Sequence, residues 1–335
     1  MAAAGVSYCP GGRLVSGFAA FLAGLETGRQ IVIQAHDFPD HDAVGAAFAL
    51  HVLLGHHHVE SVLSYGGAIQ SASLAEEIRV LKIPIHAASD TRISDNAQIV
   101  VVDGFVGNTN ITGLPGEIYG VIDHHSPPVE PQTRFHDIRE DVGSCCTIVY
   151  QYFKETGIEV SGTAATALLV GLMMDTGFMT RGVEKLDLEA FSNLFFAGDW
   201  QLASRLLKNS LSLRDLGLFR EAINACVVAA DFCYVPVTKE CTQEVTALVA
   251  DFFLGLQELK FVVVVVPDRE EFRLSVRSED PDRPADVIIR RALEGIGSGG
   301  GHIHMGGGSI PRDLYPGEEG LRKRFMEAGA KTKRP

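Results

Sequence analysis

Gln30-Ile-Val-Ile-Gln-Ala-His36-Asp-Phe-Pro-Asp40-His-Asp42-Ala-Val-Gly45 is a short apolar run that stops at a histidine and passes into two aspartates on a turn fixed by Pro39. A run of this length bounded by turn residues reads as a buried strand, and the apolar spacing from Ala43 to Leu54 reads as a helix. The pattern returns twice: Gln98-Ile-Val-Val-Val102 ends at Asp103, and Ile118-Tyr-Gly-Val-Ile122 ends at Asp123-His124-His125. Helical patterns between such runs imply crossover connections and a parallel sheet, whose ligands bind just beyond the carboxyl ends of the strands. His36, Asp103 and Asp123 fall at those ends.

Outward from this nucleus, Arg13 to Gly28 has helical apolar spacing and Val59 to Tyr65 reads as a strand. Ser144 to Glu155 and Gly162 to Met174 read as helices, the second leading into Asp175-Thr176-Gly177. Leu188 to Leu218 is mainly helical and lacks a metal-type cluster, which suits a connector. A second αβ unit then offers strands at Cys233 to Val237, Phe261 to Val266 and Phe272 to Arg277, with a helix at Cys241 to Gly255. The Gly-rich stretch Gly295 to Gly308 follows, and the charged last residues are expected to fray. The expected fold is α/β in two domains: 1–190 as a parallel-sheet catalytic domain, 191–218 as a helical linker, and 219–335 as a smaller αβ domain.

A chain of 335 residues, 46% of them hydrophobic, exceeds what one core usually supports, which agrees with two domains. The formal charge of -13 disfavours binding long nucleic acid, which depends on neutralising many phosphates with Lys and Arg. No signal-peptide pattern and no membrane-length apolar run are found, so a soluble, cytoplasmic protein is expected. The six cysteines, with Cys145 and Cys146 adjacent, lack framework spacing and read as reduced, mostly buried thiols.

Divalent cations such as Mn²⁺ or Mg²⁺ take carboxylate oxygen and imidazole nitrogen, and a pair of them about 3.5–4 Å apart needs a carboxylate that bridges. Asp40 and Asp42 project two carboxylates from one turn, His36 closes the site from a strand end, and Asp103 stands where a bridging ligand from the next strand would. His124 and His125 add imidazoles, and Asp175 follows an apolar helix. Each residue alone is more often a cap, a turn or a solvated side chain. Their joint occurrence at element ends is what points to a metal site. Two other patterns fail that test. Gly295-Ile-Gly-Ser-Gly-Gly300 satisfies G-x-G-x-x-G, but it follows a helix at Ala285 to Leu293 rather than a strand. His56-His57-His58 stands apart from the strand-end carboxylates, with Glu60 alone near it, and reads as a solvated turn.

His36 to Gly45, Val102-Asp103, Asp123-His124-His125 and Asp175-Thr176-Gly177 resemble the four signature motifs of the DHH phosphoesterase family, and Gly143 to Tyr150 is similar to its helix after the third motif. The resemblance covers about Gln30 to Thr180. It implies two divalent metals, Mn²⁺ first and Mg²⁺ as the alternative, one on His36, Asp40 and Asp103, the other on Asp42, Asp103, His124 and Asp175. Asp103 would be the bridge. His125 would lie beside the substrate phosphate, and Asp123 would orient an imidazole.

In the second domain, Arg277 and Ser278 end a strand with a guanidinium and a hydroxyl, and Gly297 to His302 offers bare backbone N–H groups. Together they resemble the DHHA1 domain that accompanies DHH domains. The resemblance implies a substrate-binding role for Arg277, Ser278, Gly300, Gly301 and His302, and an active site in the cleft between the domains. His304, two residues on, stands where that family usually has a small or apolar residue. The implied activity is hydrolysis of short oligoribonucleotides and linear dinucleotides such as pGpG, with 3′-phosphoadenosine 5′-phosphate as a further substrate and cyclic dinucleotides as the alternative. A manganese pyrophosphatase and a non-catalytic nucleotide sensor are less favoured. Expected partners are short oligonucleotides, with no long nucleic acid and no membrane, and a homodimer is compatible with the chain.

Overall fold

The computed structural model describes residues 17–105, 111–126, 131–208 and 211–330. The chain divides into two compact units, residues 1–209 and 210–335. In the first, α1 (Gly17–Ala23), β1 (Ile31–Ala35), α2 (His41–His56), β2 (Ser61–Tyr65), α3 (Ala72–Leu81) and β3 (Ile85–Ala87) are followed by β4 (Gln98–Val102), β5 (Glu117–Asp123) and β6 (Phe135–Ile138), then by helices α4 (Cys145–Thr156), α5 (Gly162–Asp175), α6 (Lys185–Ala197) and α7 (Trp200–Lys208). The six strands form one sheet in the order β3-β2-β1-β4-β5-β6, and every pairing is parallel.

The strands are apolar on both faces because both are covered. Ile31, Ile33, Val100, Val102 and Ile122 face the large core shared with the helices, while Val32, Ile99, Val101 and Val121 face a smaller one with Phe105. The chain enters at β1, moves outward through β2 and β3, and returns to β4 on the other side of β1. The ends of β1 and β4 thus form the switch point where open parallel sheets bind ligands. Helical crossovers were expected between the strands that end at His36, Asp103 and Asp123, but the described residues joining β4 to β5 contain no helix, nor do those joining β5 to β6.

Helix α2 is buried on nearly every side, from His41 through Leu50 and again at Leu53 and Leu54, so it lacks a polar stripe. It packs on α5, where two glycines set the separation. A Cβ on Gly45 would lie 2.7 Å from the Ala167 carbonyl oxygen, and one on Gly171 would lie 2.5 Å from Cys146 Sγ and 2.9 Å from Asp42 Cα. The segment expected as a linker divides otherwise: α6 and α7 place Ala190, Leu194, Ala203, Leu206 and Leu207 in the first core, and the unit boundary falls after residue 209.

The second unit comprises α8 (Asp215–Ala225), β7 (Val227–Ala229), β8 (Phe232–Pro236), α9 (Gln243–Leu254), β9 (Phe261–Asp268), β10 (Glu271–Ser278), α10 (Ala285–Leu293), β11 (Ser298–Gly301), β12 (Met305–Pro311) and α11 (Gly317–Ala330). Its sheet has the order β11-β12-β10-β9-β8-β7, with β8 and β9 parallel and the other pairs antiparallel. Strand β9 sends Val263 and Val265 to one core and Val262, Val264 and Val266 to the other, which explains its unbroken apolar run. Among the described residues no helix is long and apolar enough to cross a membrane. Residues 13–16 of the expected first helix, and the charged residues 331–335, lie outside the described residues.

Overpacking the α2–α5 contact has a defined consequence. Gly171→Ala is expected to lower the unfolding free energy by about 1–3 kcal/mol, because the added methyl meets backbone of the turn that carries Asp42. Urea denaturation measures it as a lower midpoint at unchanged slope; an unchanged midpoint would mean that the two helices separate freely.

Candidate metal centre

Each residue singled out in the first unit lies at an element end. His36 follows β1, Asp40 caps α2, Asp42 is in its first turn, Asp103 follows β4, Asp123 ends β5, and Asp175 ends α5. Asp40 accepts from the Ala43 N–H with Oδ1 at 3.0 Å, and its other oxygen lies 3.8 Å from His36 Nε2. The cap therefore occupies only half of the carboxylate.

Asp103 has a φ of +60°, a left-handed conformation that Asp and Asn adopt more readily than other non-glycine residues. Its N–H donates to the Ile122 carbonyl at 2.9 Å, which holds the turn against β5. The two carboxylate oxygens point to different imidazoles: Oδ2 is 3.7 Å from His36 Nε2, and Oδ1 is 3.6 Å from His124 Nε2. His124 Nε2 also lies 3.1 Å from Asp175 Oδ2 and 3.9 Å from Asp42 Oδ2. Among the ligand groups that result are one of His36, Asp40 and Asp103 and another of Asp42, His124 and Asp175, within each of which one ligand atom per residue lies within 4.8 Å of the others. The second group meets Asp103 through His124.

Asp42 shows why the surrounding elements matter. It is fully buried, and its carboxylate accepts from the Cys145 N–H at 2.7 Å and the Cys146 N–H at 2.9 Å. These are the first free amides of α4, so a helix N-terminus faces the carboxylate. Asp123 Oδ1 accepts from the backbone N–H groups of His124 and His125, at 2.8 and 3.1 Å, and lies 2.8 Å from His125 Nδ1. The imidazole that Asp123 orients is thus His125, which is also 3.6 Å from Asp103 Oδ1 and is 37% exposed in its side chain.

The electrostatics are those of a buried anionic cluster that suits a cation. Burial and then the charge of Asp175 push the Asp42 carboxyl up to about 7. Burial, with the charges of Asp40 and Asp42, holds Asp103 well above the usual carboxylate range. For His124 burial works toward the neutral form, but the contact with Asp175 and the other carboxylates outweighs it and raises the imidazole well above its ordinary value. Buried carboxyls driven to hold protons are what a cluster of this kind does without a cation. Four carboxylates and two imidazoles, rich in hard oxygen donors, fit divalent ions such as Mn²⁺ or Mg²⁺.

Three features of this centre have no sequence signal of their own. The α4 amides on Asp42 join residues about a hundred positions apart. Cys145 Sγ lies 3.6 Å from Asp103 Oδ1, although the ligand pattern contains no cysteine. After Asp175 the backbone of Gly177, Phe178 and Met179 is left-handed at three successive residues, φ +53°, +62° and +62°.

The second-unit residues are differently engaged. Arg277 is buried, with Nε donating to Asp251 Oδ1 at 2.5 Å and Nη1 to Ser275 Oγ at 3.0 Å. Ser278 donates to the Arg283 carbonyl at 2.8 Å within the turn after β10. The Gly-rich stretch corrects the expectation of a bare loop: Ser298–Gly301 and Met305–Pro311 are paired strands, with Gly300 opposite Gly307 and Gly301 opposite Gly306. Gly299 and Gly308 are demanded by packing, since a Cβ on Gly299 would lie 2.9 Å from Ile289 of α10, and one on Gly308 would lie 2.7 Å from Leu293. His302 donates its N–H to the Met305 carbonyl at 2.7 Å in the connecting turn, and His304 Nδ1 lies 3.1 Å from the Ser278 carbonyl oxygen.

A parallel sheet in the order 3-2-1-4-5-6 that gathers carboxylates and imidazoles at its switch point defines the first unit as an α/β domain built around an acidic, metal-type centre. Residues 30–172 match the DHH family, N-terminal domain. A Methanocaldococcus jannaschii protein described as uncharacterized is 29% identical over 304 residues, covering 89% of this chain and 62% of that protein. A probable manganese-dependent inorganic pyrophosphatase of Streptococcus pyogenes is 29% identical over 151 residues, 44% of this chain and 48% of the relative. The chain thus spans about half to three-fifths of the length of these curated relatives. In fold, the crystal structure of an exopolyphosphatase-related protein from Bacteroides fragilis matches with a TM-score of 0.74 at 21% identity, over 93% of this chain and 94% of that one.

Linkage between protons and metal follows from the raised carboxyl and imidazoles. Asp42 has a folded value of about 7 against an ordinary 3.8, so without metal the folded state binds the extra proton, and stability falls as pH rises through that interval. His124, raised above its ordinary 6.5, acts in the same direction: its contribution is present below that value and is lost as pH rises through the folded one. Metal requires the deprotonated carboxylate. In chelator the thermal midpoint should therefore drop between about pH 5 and about pH 8, and the rise produced by Mn²⁺ should be larger at the higher pH. Equal Mn²⁺ effects at both pH values, by scanning fluorimetry, would contradict this linkage.

Proposed function

We propose that the chain is a two-metal phosphoester hydrolase acting on short oligoribonucleotides and linear dinucleotides such as pGpG. The observation that carries this reading is Asp103, whose two oxygens face the imidazoles of two separate ligand groups. One ion would be held by His36, Asp40 and Asp103, the other by Asp42, Asp103, His124 and Asp175. Such ions supply charge to stabilise a phosphoryl transition state and acidify water. His125, held by Asp123 and partly exposed beside Asp103, would give a proton to a departing oxygen. Arg277, Ser278, Gly300, Gly301 and His302 are proposed to recognise the unreacting end of the substrate. Ser278 is already hydrogen-bonded within its own turn and Arg277 to Asp251 and Ser275, so the guanidinium would meet a phosphate from a position fixed by those bonds. Release of 3′-phosphate from 3′-phosphoadenosine 5′-phosphate and opening of cyclic dinucleotides are further reactions that the same centre would support.

The second reading is inorganic pyrophosphatase, favoured by the Streptococcus pyogenes relative. A panel of pGpG, pApA, cyclic dinucleotides, 3′-phosphoadenosine 5′-phosphate, pyrophosphate and a 20-mer, each with Mn²⁺, separates them. Mononucleotide release from the short substrates is expected, with the 20-mer a poor substrate. Turnover of pyrophosphate alone would replace the first reading by the second.

Asp103→Asn keeps a residue that tolerates a left-handed φ and removes the bridging charge. It should lower kcat/KM on pGpG roughly a thousandfold, about 4 kcal/mol, and reduce bound metal measured by atomic absorption. Activity within threefold of the parent would remove the bridge from the mechanism.

Arg277→Ala should cost about 2 kcal/mol in kcat/KM on 5′-phosphorylated dinucleotides and much less on bis-p-nitrophenyl phosphate, with metal content unchanged. Steady-state kinetics on both substrates test this. Equal losses would assign Arg277 to the chemical step, and no loss on either would take recognition away from it.

A further inference from the structure

The turn that presents Asp40 and Asp42 carries His41 between them, and the His41 imidazole engages α3 instead of the metal centre. His41 is 2% exposed. Its Nδ1 lies 2.5 Å from Glu77 Oε2, and its Nε2 lies 2.9 Å from Ser73 Oγ. Ser73 Oγ is in turn 2.9 Å from Ser71 Oγ, which caps α3 by accepting from the Leu74 N–H at 3.1 Å. Glu77 is fully buried, and its second oxygen, Oε1, has no hydrogen-bond partner.

Serine, imidazole and carboxylate in this order resemble a nucleophilic relay, but all three side chains are sealed from solvent, so they act on the fold rather than on a substrate. A buried carboxylate–imidazole pair is also a weak net source of stability, since replacing both partners together by apolar side chains of the same volume is often neutral, although removing one alone is costly. What such a pair supplies is direction. Two planar peptide units join His41 to the carboxylate-bearing residues on either side, so any shift of residue 41 reaches both of them. Asp40 belongs to the ligand group with His36, and Asp42 to the group with His124 and Asp175. One anchor therefore aims two ligands at two groups.

We propose that Glu77, acting through His41, is a positioning residue of the metal centre, fixing residues 40–42 so that both carboxylates face their ligand groups. The inference rests on the metal reading given above. Titration calorimetry of the full chain with MnCl₂, together with electron paramagnetic resonance of bound Mn²⁺, tests it. Glu77→Met keeps the volume and removes the acceptor; it should raise the Mn²⁺ Kd at least tenfold and change the spectrum of the bound ions, and it should also lower the thermal midpoint in chelator, because His41 stays buried without its carboxylate. Glu77→Gln, which can still bond Nδ1, should restore the Kd to within threefold of the parent. Ser73→Ala should give a smaller increase in the same direction, of at least threefold. A Kd within threefold of the parent for both Glu77→Met and Ser73→Ala would overturn the proposal, and if Glu77→Met does not fold, Ser73→Ala decides alone on that criterion. A parent chain that binds no Mn²⁺ would overturn the metal reading itself, and with it this inference.

Discussion

The first unit is organised by the need to hold several carboxylates together out of water. Asp42 is fully buried and Asp103 nearly so, each beside further carboxylates, and like charges at such separations in a low-dielectric interior repel strongly. The surrounding architecture reads as the set of devices that make this tolerable. Strands β1 and β4 bring their carboxyl ends together at the switch point, α4 turns its N-terminal amides toward Asp42, and His36 and His124 face the remaining oxygens. Close approach of α2 to α5 then follows, because Asp42 must reach α4 from the first turn of α2, and only glycine at 171 leaves room for that turn.

The parts of this arrangement that could be read from the sequence are those in which chemistry and chain position coincide. An apolar run stopping at His36, Asp103 or Asp123 announces both a strand end and a polar site, and β4 spans Gln98–Val102 as its apolar run indicates. Ligand partition was legible only through the family resemblance; the residues alone do not say that Asp40 and Asp42 face different groups. The α4 amides on Asp42 were not legible at all, since a backbone N–H has no residue identity. Short edge strands were missed for a related reason: β3 and β6 have three and four residues, too few for a period to show.

Glycine was the main source of misreading in the second unit. Its presence from Gly295 to Gly308 is compatible with a loose anion-binding loop and with a strand pair that must pass close to a helix, and composition does not separate the two. Ile289 and Leu293 of α10 settle the matter, because they occupy the space that side chains on Gly299 and Gly308 would need. Arg277 shows the converse. Its position at a strand end was legible, but its bonds to Asp251 and Ser275, which fix the guanidinium, depend on the pairing of helix α9 with the sheet.

The same glycine pairing bears on how the β11–β12 hairpin finds its alignment. A strand normally records its register in the side chains it sends to each face, and a slip of one residue exposes the wrong set. Gly299, Gly300 and Gly301 opposite Gly308, Gly307 and Gly306 carry no such record. Alignment must therefore be imposed from outside the pair, by Ile310 locked in the core beyond it and by the His302–Met305 turn at its closed end, where Gly301 adopts a φ of +140°. An inserted or deleted residue between positions 301 and 306 would meet little resistance from the strands themselves. The outermost strand of the sheet is thus the element in which neighbouring alignments are closest in energy.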